Sequence, residues 1–283
     1  MEMSTVSHLY IKGEPYGQEQ ILNLAPEKTV LKIQFSPFGI EYMLIDHSSR
    51  QLLYLQPYQK AATKNHPSKF TEAILHDDII LAKPFLEVHA AVSNISFSIF
   101  PREFAGKELI NLWYEKFAVS GDDLEIFNSH IPDIDAELVY TVSNSLLNDI
   151  KSTFGNFTLS HSVTKQITEL SNYSSDKTVY CNVHSNYLQL IVLCDRKLMF
   201  ANIFLYQTPE DFGYYLMATY KQLHLDPESV PIVLSGEIMK QSQIYQIMFK
   251  YIRLIKFIKP PGAMKFHADY PFPAHFYYSL FCL

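Results

Sequence analysis

From Thr29 onward, apolar positions recur with the alternation of a half-buried strand: Val30, Leu31, Ile33 and Phe35. Two further strand-like runs follow after tight turns. Ser36-Pro37-Phe38-Gly39 leads into residues 40–45, and His47-Ser48-Ser49-Arg50 leads into residues 51–55. Three such runs joined by two turns predict an antiparallel meander. Pro67 then marks a helix start, with Phe70, Ile74 and Leu75 at helical spacing. Leu86, Val88, Ala90 and Val92 alternate as a strand, and residues 95–100 form a second short run. Phe104, Leu109, Leu112, Trp113 and Phe117 predict an apolar helical face. Residues 136–142 read as a strand and 143–154 as a helix closed by Gly155. Phe157-Thr158-Leu159 reads as a short strand, and Val163, Ile167 and Leu170 line another helix.

Asn172-Tyr173-Ser174-Ser175-Asp176 is polar and turn-forming, and beyond it the pattern starts again. Lys28-Thr29-Val30 returns as Lys177-Thr178-Val179. With the same shift, Ser36 meets Ser185, Phe38 meets Tyr187, Leu44 meets Leu193 and Asp46 meets Asp195. The third strand of this second copy covers residues 197–205. Thr208-Pro209-Glu210-Asp211 then supplies a capping hydroxyl, a proline and acids for a helix start. Phe212, Tyr215, Leu216, Thr219 and Leu223 form the core face of that helix. The short strand Val230-Pro231-Ile232-Val233-Leu234 ends in Ser235-Gly236-Glu237. A repeat this long predicts two α/β lobes rather than a solenoid. They are expected at 28–174 and 175–283 after a polar lead-in of residues 1–27, with the final helix free to pack back on the first lobe.

Composition narrows the chemistry. The net charge of −6 over 283 residues argues against a nucleic-acid partner, which would call for a basic stripe. The basic residues of 250–259 alternate with apolar ones and read as a half-exposed strand. No window is apolar enough for a transmembrane segment, and residues 1–15 lack a signal-peptide core. Cys181, Cys194 and Cys282 are scattered, which points to a reducing cytoplasm rather than a disulfide or zinc framework. There are only 9 glycines, none in a G-x-G, so Walker A and Rossmann fingerprints are excluded. The 11 histidines form no H-x-H or H-E-x-x-H, so no metal site is expected, and His89 and His184 read as structural. Asp77-Asp78 reads as a solvated helix end, Asp122-Asp123 as a turn, and Asp133 and Asp135 as solvent-facing.

Two lobes built as a meander followed by alternating helices and strands resemble the actin-like ATPase superfamily, with its ribonuclease H-like lobes. Residues 157–170, residues 230–237 and Pro273-Ala274-His275-Phe276-Tyr277-Tyr278-Ser279-Leu280 carry the likeness in the second half. Asn202, Phe204, the run Thr208-Pro209-Glu210-Asp211-Phe212-Gly213-Tyr214-Tyr215 and Leu234-Ser235-Gly236-Glu237 resemble a bacterial domain family of this fold without a settled activity. The resemblance implies a nucleotide cleft flanked by two Asp-x-Gly hairpins. In that arrangement glycine admits phosphate to the backbone N–H groups, and the acid serves the magnesium or the attacking water. Here the first hairpin reads Gln34-Phe35-Ser36-Pro37 and the second Val183-His184-Ser185-Asn186, with no acid in either. Pro37 also removes a backbone donor.

The resemblance therefore implies a relic cleft at Ser36, Ser185, Ser235, Gly236 and Glu237, with no catalytic or metal residues, no cofactor and minimal inserted subdomains. The expected role is a non-catalytic scaffold with a protein partner or self-association. The alternative is a divergent ATPase or small-molecule kinase, or a nucleotide sensor, taking ATP with magnesium and using Glu237 or Asp46 as its acid. Tyr214-Tyr215 and Tyr277-Tyr278 are expected to place one ring in the core and one near the surface, for packing or for a partner. The aromatic loop at residues 266–273 would cover the lobe junction or dock a partner.

Overall fold

The computed structural model describes residues 9–17, 24–61, 67–117, 123–173, 176–262 and 264–283, with the side chains of Pro67 and Ser68 left aside. Gly121 and Asp122 of the expected turn, and Ser174 and Ser175 of the expected boundary, lie outside the described residues. Strand β1 (Tyr10–Lys12) precedes the meander of β2 (Thr29–Ser36), β3 (Gly39–Asp46) and β4 (Leu52–Lys60). The polar lead-in thus contains a strand, which adds to the edge of β4. Helix α1 (Pro67–Asp77) leads to β5 (Glu87–Val92).

Next comes β6 (Phe97–Pro101), α2 (Lys107–Phe117), β7 (Leu124–Ile131) and β8 (Ala136–Ser143), followed by α3 (Asn144–Phe154), β9 (Thr158–His161) and α4 (Ser162–Ser171). The second half runs β10 (Thr178–Val183), β11 (Tyr187–Cys194), β12 (Lys197–Leu205), α5 (Pro209–Gln222), β13 (Ile232–Gly236), α6 (Gln243–Tyr251), β14 (Ile255–Phe257) and α7 (Tyr278–Phe281).

The duplication appears in the strand order. The first sheet is β1-β4-β3-β2-β5-β9 and the second is β12-β11-β10-β13-β14. In each, an antiparallel meander is extended from its first strand by two parallel strands. The helix starts follow the sequence signals. Thr208 caps α5 in a capping box with Asp211, and Ser143 accepts from the Leu146 N–H at the start of α3. Both meander-to-helix links are short, but β6, β7 and β8 form a separate three-stranded sheet inserted between β5 and α3. The expected apolar face of α2 is not core. Only Trp113 is buried there, while Leu109, Leu112, Phe117 and the preceding Phe104 are exposed.

Alternation along β11 explains how the halves join. Tyr187, Ile191 and Leu193 point into the cluster built on the first sheet, whereas Leu188, Leu190 and Val192 point into the second-sheet core. Helix α4 packs Val163, Ile167 and Leu170 into that first cluster, and the Gln166 amide donates to Gln189 Oε1 at 3.2 Å. The outer face of the meander is closed by the C-terminal segment. Met43, Ile45, Leu52 and Leu55 pack against Tyr277, Leu280 and Phe281, with Phe266, Tyr270 and Phe272 of the aromatic loop beside them. Tyr277 and Tyr278 are therefore both buried, unlike the pair Tyr214 and Tyr215, of which Tyr214 is exposed. Lys32 lies on the same face and donates to the Phe281 carbonyl at 2.8 Å. Burial pushes its ammonium down to about 8.

Asp78 is not a solvated helix end. Its carboxylate is buried and accepts from the Tyr42 hydroxyl at 2.6 Å, the Tyr58 hydroxyl at 2.8 Å and the Ile80 N–H at 2.9 Å. Three donors offset a desolvation cost of several kcal/mol. Removing the acceptor strands two buried phenols. Asp78→Ala is expected to lower unfolding free energy by about 2–4 kcal/mol, and urea denaturation reads it. A loss under roughly 0.5 kcal/mol, the range of neutral surface changes, would contradict this role.

Candidate functional site

The turns of the two repeated hairpins face each other across the junction of the sheets. Phe38, in the β2–β3 turn, stacks on Tyr187 at the start of β11, with ring centroids 6.1 Å apart and planes inclined by 22°. The shift that relates the two copies in sequence matches these two rings, although Thr178 pairs with Leu193 where Thr29 pairs with Asp46, so the second hairpin is paired two residues out from the first. The polar groups of each turn are also taken up by neighbouring protein groups. The Ser36 hydroxyl donates to the Gly39 carbonyl at 3.0 Å and accepts from the Phe38 and Gly39 N–H groups. In the second turn, the His184 ring stacks on Tyr187 at 4.2 Å and lies 3.0 Å from the Asn182 amide. The Tyr206 hydroxyl donates to the His184 carbonyl. Burial pushes the His184 imidazole down to about 3, so it stays neutral.

A cavity of about 310 Å³ opens beside this stack. Its wall includes Ser36, Ser185 and Glu237, three of the five residues expected at a relic cleft, together with Gln34, Glu41, Tyr58 and Lys60. Ser235 and Gly236 do not line it. The Ser235 hydroxyl donates to Asn182 Oδ1 at 3.1 Å, behind the wall. Gly236 has φ +82°, and a Cβ there would come within 2.1 Å of the Val183 carbonyl oxygen. That glycine is required by the close approach of β13 to β10. Asp46, the other candidate acid, sits at the far end of β3, where Ser48 and Ser49 take up its Oδ1.

Glu41 is the cavity residue that sequence reasoning missed. It is an acid among the apolar residues of β3, and its cross-strand partner is Gln34. The Gln34 amide donates to Glu41 Oε1 at 3.0 Å, and the Ser185 hydroxyl donates to Glu237 Oε2 at 2.8 Å. Burial, reinforced by the Glu237 charge, pushes the Glu41 carboxyl up to about 8. Burial also raises the Glu237 carboxyl, against the Ser185 hydrogen bond, which holds it down. Two carboxylates therefore converge here, while among the described residues no group of three or more His, Cys, Asp or Glu is placed to hold a metal. No described helix is long and apolar enough to cross a membrane.

Two duplicated sheets meeting at facing hairpins define the actin-like ATPase fold. A crystal structure from Bacteroides thetaiotaomicron, of a protein with actin-like ATPase fold and unknown function, is similar at a TM-score of 0.72 and 16% identity, covering 82% of this chain and 91% of that one. The PilM–PilN type IV pilus biogenesis complex is similar at a TM-score of 0.57 and 10% identity, covering 90% and 97%. Residues 19–255 match the model of the family described as protein of unknown function DUF3822, and the chain belongs to that family. A comparison with curated proteins finds no match.

The nucleotide and magnesium that this fold implies do not fit the residues present. The hairpin hydroxyls are committed, Pro37 offers no N–H, the aromatic stack joins the turns, and any negative charge on the cavity acids opposes phosphate. The raised Glu41 carboxyl has a consequence for stability. The folded chain keeps a proton that the unfolded chain loses near 4.5, so Glu41 makes stability fall as pH rises from about 4.5 to about 8. Glu41→Gln is expected to flatten that decline, with a melting temperature above wild type at pH 8. Equal slopes in melting curves from pH 5 to pH 8 would contradict the burial of this acid.

Proposed function

We propose that this protein is a non-hydrolysing member of the actin-like fold that works as a protein-binding scaffold in the cytoplasm, with lobes at 28–174 and 175–283. The observation that carries this reading is the closure of the two hairpin turns on each other through Phe38 and Tyr187, beside two carboxylates. A phosphate-binding cleft needs free backbone donors and positive charge at that place.

Two findings support a protein partner. PilM, of similar fold, is known in a complex with PilN. The inserted unit of this chain also leaves Phe104, Leu109, Leu112 and Phe117 exposed in one segment, a concentration of apolar surface that favours macromolecular contact. The three cysteines are free, which supports a reducing compartment.

Isothermal titration with ATP and magnesium is expected to give no saturable heat up to about 1 mM ligand. Micromolar affinity with phosphate release would overturn the reading, and tight binding without release would make the protein a nucleotide sensor instead. Leu112→Glu combined with Phe117→Glu is expected to leave the melting temperature nearly unchanged, because both side chains are exposed. It should abolish partner capture from native lysate. Capture at wild-type level would remove α2 from the interface.

A further inference from the structure

We propose that the cavity between the two hairpins is a binding site for a guanidinium or alkylammonium cation, held by Glu41, Glu237 and the side-chain oxygen of Gln34 beside the rings of Phe38, Tyr58 and Tyr187. This site is independent of the scaffold role, because a cation can bind whether or not a protein partner does.

The acids alone would not make a site. The second observation is Gln34, which is 2% exposed, lines the cavity and has its Oε1 without any hydrogen-bond partner among the described residues. Buried amide oxygens are rarely left unpaired, and the missing group is a hydrogen-bond donor. Nε2 of Gln34 donates to Glu41, so the oxygen is the atom left over. Three acceptors on one wall match the several N–H groups of a guanidinium or a primary ammonium. The rings of Phe38, Tyr58 and Tyr187 on the same wall favour an organic cation over a metal ion. Once Glu41 ionises the two carboxylates repel each other, and a cation between them relieves that repulsion.

Lys60 is the competing charge. It lines the cavity but forms no ion pair within 4.0 Å among the described residues. A bound cation takes the place this ammonium would otherwise fill. Binding also draws the proton from Glu41, so it releases protons at neutral pH and tightens as pH rises.

The test is isothermal titration of the full chain at pH 8 and low salt with agmatine, and in parallel with the blocked peptide acetyl-Gly-Arg-Gly-amide. Saturable one-to-one binding is expected, with measurable proton release when the titration is repeated at pH 7 in two buffers of different ionisation heat. Tighter binding of the peptide assigns the cation to a side chain of a partner, and tighter binding of agmatine assigns it to a free small molecule. Tetramethylammonium, which carries the charge without an N–H donor, is expected to bind at least about tenfold more weakly. Glu237→Gln and Gln34→Leu should each weaken agmatine by about tenfold or more while keeping a cooperative melt, and Lys60→Gln should strengthen it. No saturable heat with either probe, or wild-type affinity in a folded Glu237→Gln variant, would overturn the proposal.

Discussion

Phe38 and Tyr187 belong to the two hairpins that the sequence repeat relates, and the fold brings them ring against ring at 6.1 Å. At this contact a residue of one hairpin meets a residue of the other across the junction of the sheets. Each residue type there must therefore suit the one it meets. Aromatic rings do, with about 0.5–1.5 kcal/mol beyond the area they bury. The cavity that remains beside the stacked rings is lined by Glu41 and Glu237. The turn hydroxyls then close onto their own backbones or onto Glu237.

The rest of the junction reinforces that contact rather than allowing the halves to part. Strand β11 is buried on both faces and contributes to both cores. Helix α4 crosses the junction with a buried amide pair, and the C-terminal segment lies over the outer face of the meander, with Lys32 anchored on the Phe281 carbonyl. Opening the cleft would expose these apolar residues and break buried hydrogen bonds together, each worth about a kcal/mol or more. A fixed junction suits a surface that presents itself to a partner, and it suits poorly a cycle in which lobes close over a substrate.

Much of this was legible in the chain because alternation and turn chemistry are local signals. The meanders, the capping box at Thr208 and the Gly155 cap all survive in the structure. The inserted sheet was not legible, because alternation in residues 95–100 and 136–142 cannot say which sheet a strand joins, and β7 carries mixed polarity. Asp78 gave no sign that two tyrosines from different strands would converge on it. Glu41 could have been suspected as an acid within an apolar run. Its meaning rests on Glu237, far away in sequence, and on the unpaired oxygen of Gln34, and both require the folded chain.

The closure of the hairpins on each other is tested most directly by a double-mutant cycle on unfolding free energy, with Phe38→Ala, Tyr187→Ala and the pair. Burial losses at each position cancel in the cycle and leave the cross-junction term. A coupling of about 0.5–1.5 kcal/mol is predicted for stacked rings. Strictly additive effects would mean that the hairpins do not touch in solution and that the cleft between them is open.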